Sequence, residues 1–219
     1  MVKAIVFDFD GVLADSEWLH LRAYQELLEP IGVRLTKEVY CERYLGFDDE
    51  GVFQQVAADY RLILGDEEIE LLIAEKARRF EKMISSTNVL YPAAVTTVRA
   101  LARTYPLGIA SGSLRREIEL MLSGAALNDA FRFIVSADDT ERTKPAPDPY
   151  LKAAEMHGLP PRECVAIEDS NWGLQSARDA GLVTIGLASS YPANALKADV
   201  VVARLEDITP ELIERLSST

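Results

Sequence analysis

Ala4-Ile5-Val6-Phe7-Asp8-Phe9-Asp10-Gly11-Val12 begins as an apolar run and ends on two acids and a glycine. Residues 4–7 are apolar on both alternating faces, the pattern of a strand covered from both sides and hence of a parallel sheet. Five more runs repeat it, at residues 107–110, 133–135, 165–167, 183–187 and 200–202. Helical spacing lies between them: Val95, Val98, Leu101 and Ala102 recur at three and four, as do Ile118, Leu122 and Ala125. Thr209-Pro210-Glu211 reads as a helix start, with a capping hydroxyl and a proline at the first helical position.

Alternating strands and helices predict an α/β fold, a doubly wound, Rossmann-like parallel sheet. One stretch breaks the alternation. Leu21, Tyr24 and Leu28 repeat at helical spacing, as do Val52, Val56 and Tyr60, and then Ile69, Leu72, Ile73 and Lys76. We therefore expect a core of residues 1–15 and 88–219, with residues 16–87 inserted as an α-helical cap. Such an insert would sit over the carboxyl ends of the strands, where open α/β sheets bind ligands. Trp18 and Tyr24 are expected in its core.

The 219 residues are 48% hydrophobic and 26% charged, the make-up of a folded globular protein. No apolar run is long enough to span a membrane, and Asp8 comes too early for a secretory leader. Cys41 and Cys164 alone make no disulfide framework; Cys164 reads as a buried thiol, and a reducing cytoplasm is expected. The net charge of −12 argues against nucleic acid, which demands a basic face. It does not bar an anionic substrate, because charges beyond about 8 Å are largely screened at physiological salt. A monomer is the default expectation.

Four features carry chemistry. If the strand runs on through Asp8 and Asp10, its pleat aims both carboxylates at one site, a cost that a cation or a proton must offset. Gly11 then permits a sharp turn or close backbone approach. A calcium loop would continue with more oxygen donors, but Val12-Leu13-Ala14 follows. Ser111-Gly112-Ser113 closes the second strand with hydroxyls and open amides suited to phosphate oxygens. Lys144 stands in the proline-stiffened loop Thr143-Lys144-Pro145-Ala146-Pro147. Glu168-Asp169 follows the strand at 165–167, and adjacent acids there suit a hard cation.

Acid pair, hydroxyl, lysine and second acid pair, in this order, resemble the haloacid dehalogenase-like (HAD) superfamily over essentially the whole chain. Asp15-Ser16, the Lys144-Pro145-x-Pro147 loop and the helical insert resemble the small-cap branch containing phosphoglycolate phosphatase and β-phosphoglucomutase. That resemblance implies a Mg2+-dependent phosphatase acting on a small phosphorylated metabolite: a sugar, polyol or glycolate monophosphate. It implies that Asp8 attacks phosphorus and becomes an aspartyl-phosphate, while Asp10 protonates the leaving alcohol and activates water. An ordinary aspartate titrates near about 3.9, so Asp8 is expected ionised, whereas Asp10 is expected to hold a proton part of the time. Ser111 would donate to the phosphate and Lys144 steady its charge. Magnesium would be held by Asp8, the Asp10 carbonyl, Asp169 and Glu168. His20 and Lys76 match cap positions at the substrate, together with Gly46 in the cap loop; the alternative for both side chains is a solvated helix face. β-Phosphoglucomutases carry basic residues where this chain has Leu45 and Asp49. An acidic loop would repel a second phosphate, which favours hydrolysis over the alternative, a phosphosugar mutase. A receiver-type signalling domain would be about half this length, and an inactive binding protein would have no use for the intact polar set.

Overall fold

The computed structural model describes residues 1–45 and 47–216. Six strands form one parallel sheet: β1 (Ala4–Phe7), β2 (Leu107–Ala110), β3 (Ile134–Val135), β4 (Cys164–Glu168), β5 (Val183–Leu187) and β6 (Val200–Val202), in the order β3-β2-β1-β4-β5-β6. Alternation within β1 shows why its run is continuously apolar. Ile5 and Phe7 enter one core, while Ala4 and Val6 enter another on the opposite face. The first core takes Val98 and Leu101 from α5 (Ala94–Ala102), Ile118 and Leu122 from α6 (Arg115–Gly124) and Ile213 from α9 (Pro210–Leu216). The second is rich in alanine and receives α7 (Asp148–His157) and α8 (Asn171–Asp179). Thr209 caps α9 as expected, accepting from the Leu212 amide at 3.3 Å. Cys164 is buried at the start of β4, where burial pushes its thiol up to about 11.

Between β1 and α5 lie α1 (Glu17–Leu28), α2 (Lys37–Arg43), α3 (Asp49–Tyr60) and α4 (Asp66–Ile84). They enclose a core of their own around Leu21, Tyr24, Leu28, Tyr44, Phe53 and Val56. Helix α2 has no apolar periodicity to betray it: Tyr40 is its one buried residue, and Thr36 caps it. Trp18 departs from expectation. It is 45% exposed, because with Arg22 one turn on it occupies the outer face of α1 while Leu19, Ala23 and Leu27 face inward. The chain enters and leaves this helical layer through adjacent segments. The Asp15 amide donates to Val89 O at 2.7 Å and the Tyr91 amide to Leu13 O at 3.0 Å, around an antiparallel bridge between Ala14 and Leu90. Among the described residues no helix is long and apolar enough to cross a membrane.

Candidate active site

β1 lies between β2 and β4, and the crevice beyond their carboxyl ends is the place such a sheet offers a ligand. Asp8 sits there, its amide still bonded to Ile167 O at 2.9 Å. Asp10 does not reach the site by the strand pleat. β1 ends at Phe7, and Phe9 O accepts from the Leu13 and Ala14 amides, so Asp10 already lies in a turn. Gly11 makes that turn with φ +76°, and a Cβ there would collide with the Asp169 carboxylate. Gly11 thus makes the sharp turn expected of it and packs behind Asp169, without lining the cavity where a substrate contact would have to lie.

Lys144 Nζ donates to Asp8 Oδ1 at 2.8 Å and to Glu168 Oε1 at 2.7 Å. Glu168 is fully occupied: Tyr150 also donates to Oε1, while the Asp169 amide and the Ser170 amide and hydroxyl donate to Oε2. Its carboxylate rests where a Cβ on Gly173 would be. Asp169 accepts from the Ser190 hydroxyl. Asp8, Glu168 and Asp169 each offer an oxygen within 4.8 Å of the others, and all three are buried. One lysine against three carboxylates leaves excess negative charge. Burial, then Glu168, push the Asp8 carboxyl up to about 8 against the pull of Lys144. Asp169 is likewise raised by burial and by its acidic neighbours. Asp8 is therefore not reliably ionised at neutral pH on protein contacts alone, contrary to expectation. A hard divalent cation fits this donor set, with Asp8 and Asp169 as the freer oxygens and Glu168 committed to Lys144.

Asp10 also reverses its expectation. Burial favours its proton, yet the His20 ring and the Ser113 and Ser16 hydroxyls together hold its carboxyl below the usual range. Ser16 donates to Oδ1; Ser113 Oγ donates to Oδ2 at 2.5 Å, with Ser111 Oγ at 3.5 Å. His20 Nε2 stands 3.5 Å from Oδ1, an ionic contact without hydrogen-bond geometry. The ring stacks on Phe80 at 4.0 Å, and the Asp10 contact helps hold the imidazole's proton above its ordinary range against burial. His20 is buried at the site, not solvated.

The opposite wall comes from the inserted helices. Lys76 is 1% exposed and lies behind that wall, its ammonium 2.9 Å from Asp49 and 4.8 Å from the Phe80 ring centre. It neither faces solvent nor lines the cavity. Asp49 also accepts from Tyr24 Oη at 2.5 Å, so the acid expected to repel a second phosphate is already neutralised. Asp48 caps α3 through the Gly51 amide and accepts from Thr143 Oγ1 at 2.9 Å, tying the wall to the Lys144 loop. Leu45 is buried and supplies no charge. Gly46 lies outside the described residues. The cavity between these walls measures about 70 Å³. Of the residues assigned from sequence, Asp8, Asp10, His20, Ser111, Gly112, Ser113, Lys144, Glu168 and Asp169 line it; Gly11 and Lys76 do not.

Sequence reasoning passed over Glu17, Tyr40, Phe47, Asp48 and Thr143, which line the cavity as well, as do Tyr24, Leu45, Asp49 and Ser170. It also missed Tyr150 and Gly173, which hold Glu168 from outside it. Thr143 was findable beside Lys144; an aromatic at helical spacing such as Tyr40 reads as core.

A family model described as haloacid dehalogenase-like hydrolase matches residues 5–187. β-Phosphoglucomutase of Bacillus subtilis is 31% identical over 222 residues, covering 97% of this chain and 94% of that protein. Fructose-1-phosphate phosphatase YqaB of Escherichia coli is 28% identical over 178 residues, 81% of this chain and 92% of its own. The crystal structure of CbbY from Rhodobacter sphaeroides in complex with xylulose-(1,5)bisphosphate is 26% identical and superposes with a TM-score of 0.83, covering 94% of this chain and 95% of that one. With a match this long laid over the acids, hydroxyls and lysine just described, the chain belongs to the haloacid dehalogenase-like hydrolases and is a phosphatase-class enzyme of the branch that holds phosphoglycolate phosphatase and β-phosphoglucomutase.

Proposed function

We propose that the protein is a Mg2+-dependent phosphatase that hydrolyses a small phosphate monoester through an aspartyl-phosphate on Asp8. The observation that carries this is the Lys144 ammonium fixed between Asp8 and Glu168 at the carboxyl end of β1. Asp8 Oδ attacks phosphorus as the P–O bond to the leaving alcohol breaks; the alcohol takes its proton through Asp10, supplied from the His20 imidazole 3.5 Å away, whose proton is held above its ordinary range. In the second half of the reaction Asp10 takes a proton from the water that attacks the same phosphorus, and the Asp8 carboxylate leaves. Lys144, with the Ser111 hydroxyl and the Gly112 amide, offsets charge on the phosphoryl oxygens. A divalent cation held by Asp8, Asp169 and the Asp10 carbonyl would supply electrostatic compensation for the carboxylates and the substrate's phosphate. Residues 16–87 act as the cap, and closure excludes bulk water.

Hydrolysis of a monophosphate is supported over isomerisation by the charges of the wall. Lys144 and His20 are the only basic side chains lining the cavity among the described residues, and both are paired. A second phosphate would find no arginine fork there. Incubation with Mg2+ and a panel of sugar, polyol and glycolate phosphates, including a hexose 1-phosphate, tests the reading. Release of inorganic phosphate and a trapped acyl-phosphate that Asp8→Asn cannot form are expected. Isomerised sugar phosphate without free phosphate would overturn it in favour of the mutase.

A further inference from the structure

Glu117 stands in the first turn of α6, the helix entered from the Ser111-Gly112-Ser113 loop, and is 1% exposed. Neither of its carboxylate oxygens has a hydrogen bond. Its ion-pair partner is Lys76 on α4, Nζ 3.6 Å from Oε1, while the same ammonium is 2.9 Å from Asp49 on α3. Two carboxylates thus share one buried ammonium across the seam between the inserted helices and the sheet. A buried carboxylate without hydrogen bonds is costly, and an apolar residue of similar size would pack there as well or better. Packing gives no reason for an acid at this place.

The cost exists only while α4 rests on α6. The cavity is walled on one side by the inserted helices, and lids of this kind lift to admit substrate and settle for the reaction. The paired crossings at Asp15 with Val89 and Leu13 with Tyr91 are the join about which they can do so. Lifting returns Glu117 to water; settling buries it again.

We propose that Glu117 is a positioning residue whose proton decides whether α4 settles on α6. Neutral, it lets the inserted helices close over the site and brings Lys76 and Asp49 to their places. Ionised, it holds them off, because closure would bury two carboxylates on one ammonium. Lys76 from α4 touches it, and His20 from α1, Asp49 from α3 and Asp10 from the turn after β1 act on it electrostatically, while Arg116 next to it pairs with Glu81 of α4. Burial raises the Glu117 carboxyl above its ordinary range; Lys76 and His20 oppose that, and Asp49 and Asp10 add to it. The closed state therefore binds the proton more tightly than the open one. Closure is fully available below the ordinary glutamate value of 4.5 and weakens by up to tenfold for each pH unit above it, until the closed-state value is passed.

The kinetic side of this rests on the phosphatase reading; the conformational side does not. Trp172 on α8 lies 5.8 Å from Phe47 across the same seam, and Trp18 is the chain's other tryptophan. In a Trp18→Phe background, indole emission therefore reports closure without turnover. Emission is expected to move to longer wavelength as pH rises from acid to neutral, and Glu117→Gln to abolish that movement. In steady-state assays kcat/KM of Glu117→Gln should exceed that of the parent by a factor that grows with pH, toward tenfold. Glu117→Met, equally unable to titrate, replaces the amide if that variant does not fold. Identical pH dependence of emission in parent and variant would overturn the proposal. Loss of the emission shift in a protein that hydrolyses no ester would uphold it while refuting the phosphatase reading.

Discussion

Lys144 reaches Asp8 and Glu168 with a single ammonium, and the second contact depends on residues that never touch the cavity. Tyr150, the Asp169 amide and Ser170 fix the Glu168 carboxylate, and the missing side chain of Gly173 makes room for it. Replacing Lys144 with alanine leaves Asp8 beside two acids and removes the charge that faces the phosphoryl oxygens. A loss on the order of a hundredfold or more in kcat/KM is expected, by comparison with lost oxyanion donors; a loss below about threefold in steady-state assays would return Lys144 to a structural role. Gly173→Ala tests the support from behind. Its methyl group and the Glu168 carboxylate cannot occupy the same space, so Glu168 must move and Lys144 with it. Misplacement on the ångström scale costs about a hundredfold in rate. The expected signature is a fall in kcat with melting temperature far less affected than for a cavity-forming core substitution, read from parallel turnover and thermal scans.

Helix α4 belongs to both cores at once. Its first turns bury Ile69 among the inserted helices, while Phe80 and Ile84 enter the core above the sheet. Phe80 also carries the His20 ring on one side and the Lys76 ammonium over its face. Phe80→Ala should therefore cost about 3–5 kcal/mol in urea unfolding, as deletion of a fully buried ring does, and should lower activity further by freeing His20 beside Asp10. Unchanged activity at temperatures where the variant stays folded would show that the stack does not position His20. Elements of this kind set what the sequence disclosed. The central strands were legible because both faces of each are buried, which writes an unbroken apolar run: residues 183–187 were marked to the residue. Asp8, Ser111 and Glu168 were legible because they stand at or just beyond strand ends, and Lys144 because prolines stiffen the loop that carries it. Partnerships between distant helices were not. Asp49 and Lys76 read as a repelling acid and as a lysine at the substrate or on a solvated face until α3 packs on α4 and pairs them, and Glu117 carries no local sign that α4 will cover it. Asp10 misled for a related reason, since the groups that keep it ionised come from two other segments, Ser16 and His20 at the start of α1 and Ser113 beyond β2.

For the molecule as a whole, the question is how a chain of net charge −12 remains folded around a cluster of acids. Stripped of divalent cations, the protein holds Asp8 at about 8 and Asp169 well above its ordinary value, so folding takes up protons at both. A carboxyl whose folded value is raised contributes stability that is complete below its unfolded value, near about 3.9, and is lost as pH rises through the folded value. Asp10 runs the other way: its lowered value adds stability above the ordinary aspartate range and withdraws it in stronger acid. Lys144, raised by Asp8 and Glu168 against the effect of burial, loses its contribution only in alkali beyond the range of interest. Between mild acid and pH 8, Asp8 and Asp169 act in the same direction as Glu17 and Glu117, which burial also raises, and the metal-free protein should lose stability across that window. Magnesium competes with those protons, so the stability it confers should grow as pH rises, by up to about 1.4 kcal/mol per pH unit for each proton displaced. Thermal unfolding in chelator and in excess Mg2+, compared at pH 6 and at pH 8, measures the difference directly, and Asp169→Asn should shrink it. A gain from Mg2+ that is the same at both pH values would mean that the cation does not share oxygens with the protonated cluster, and the assignment of Asp8 and Asp169 as its ligands would fail.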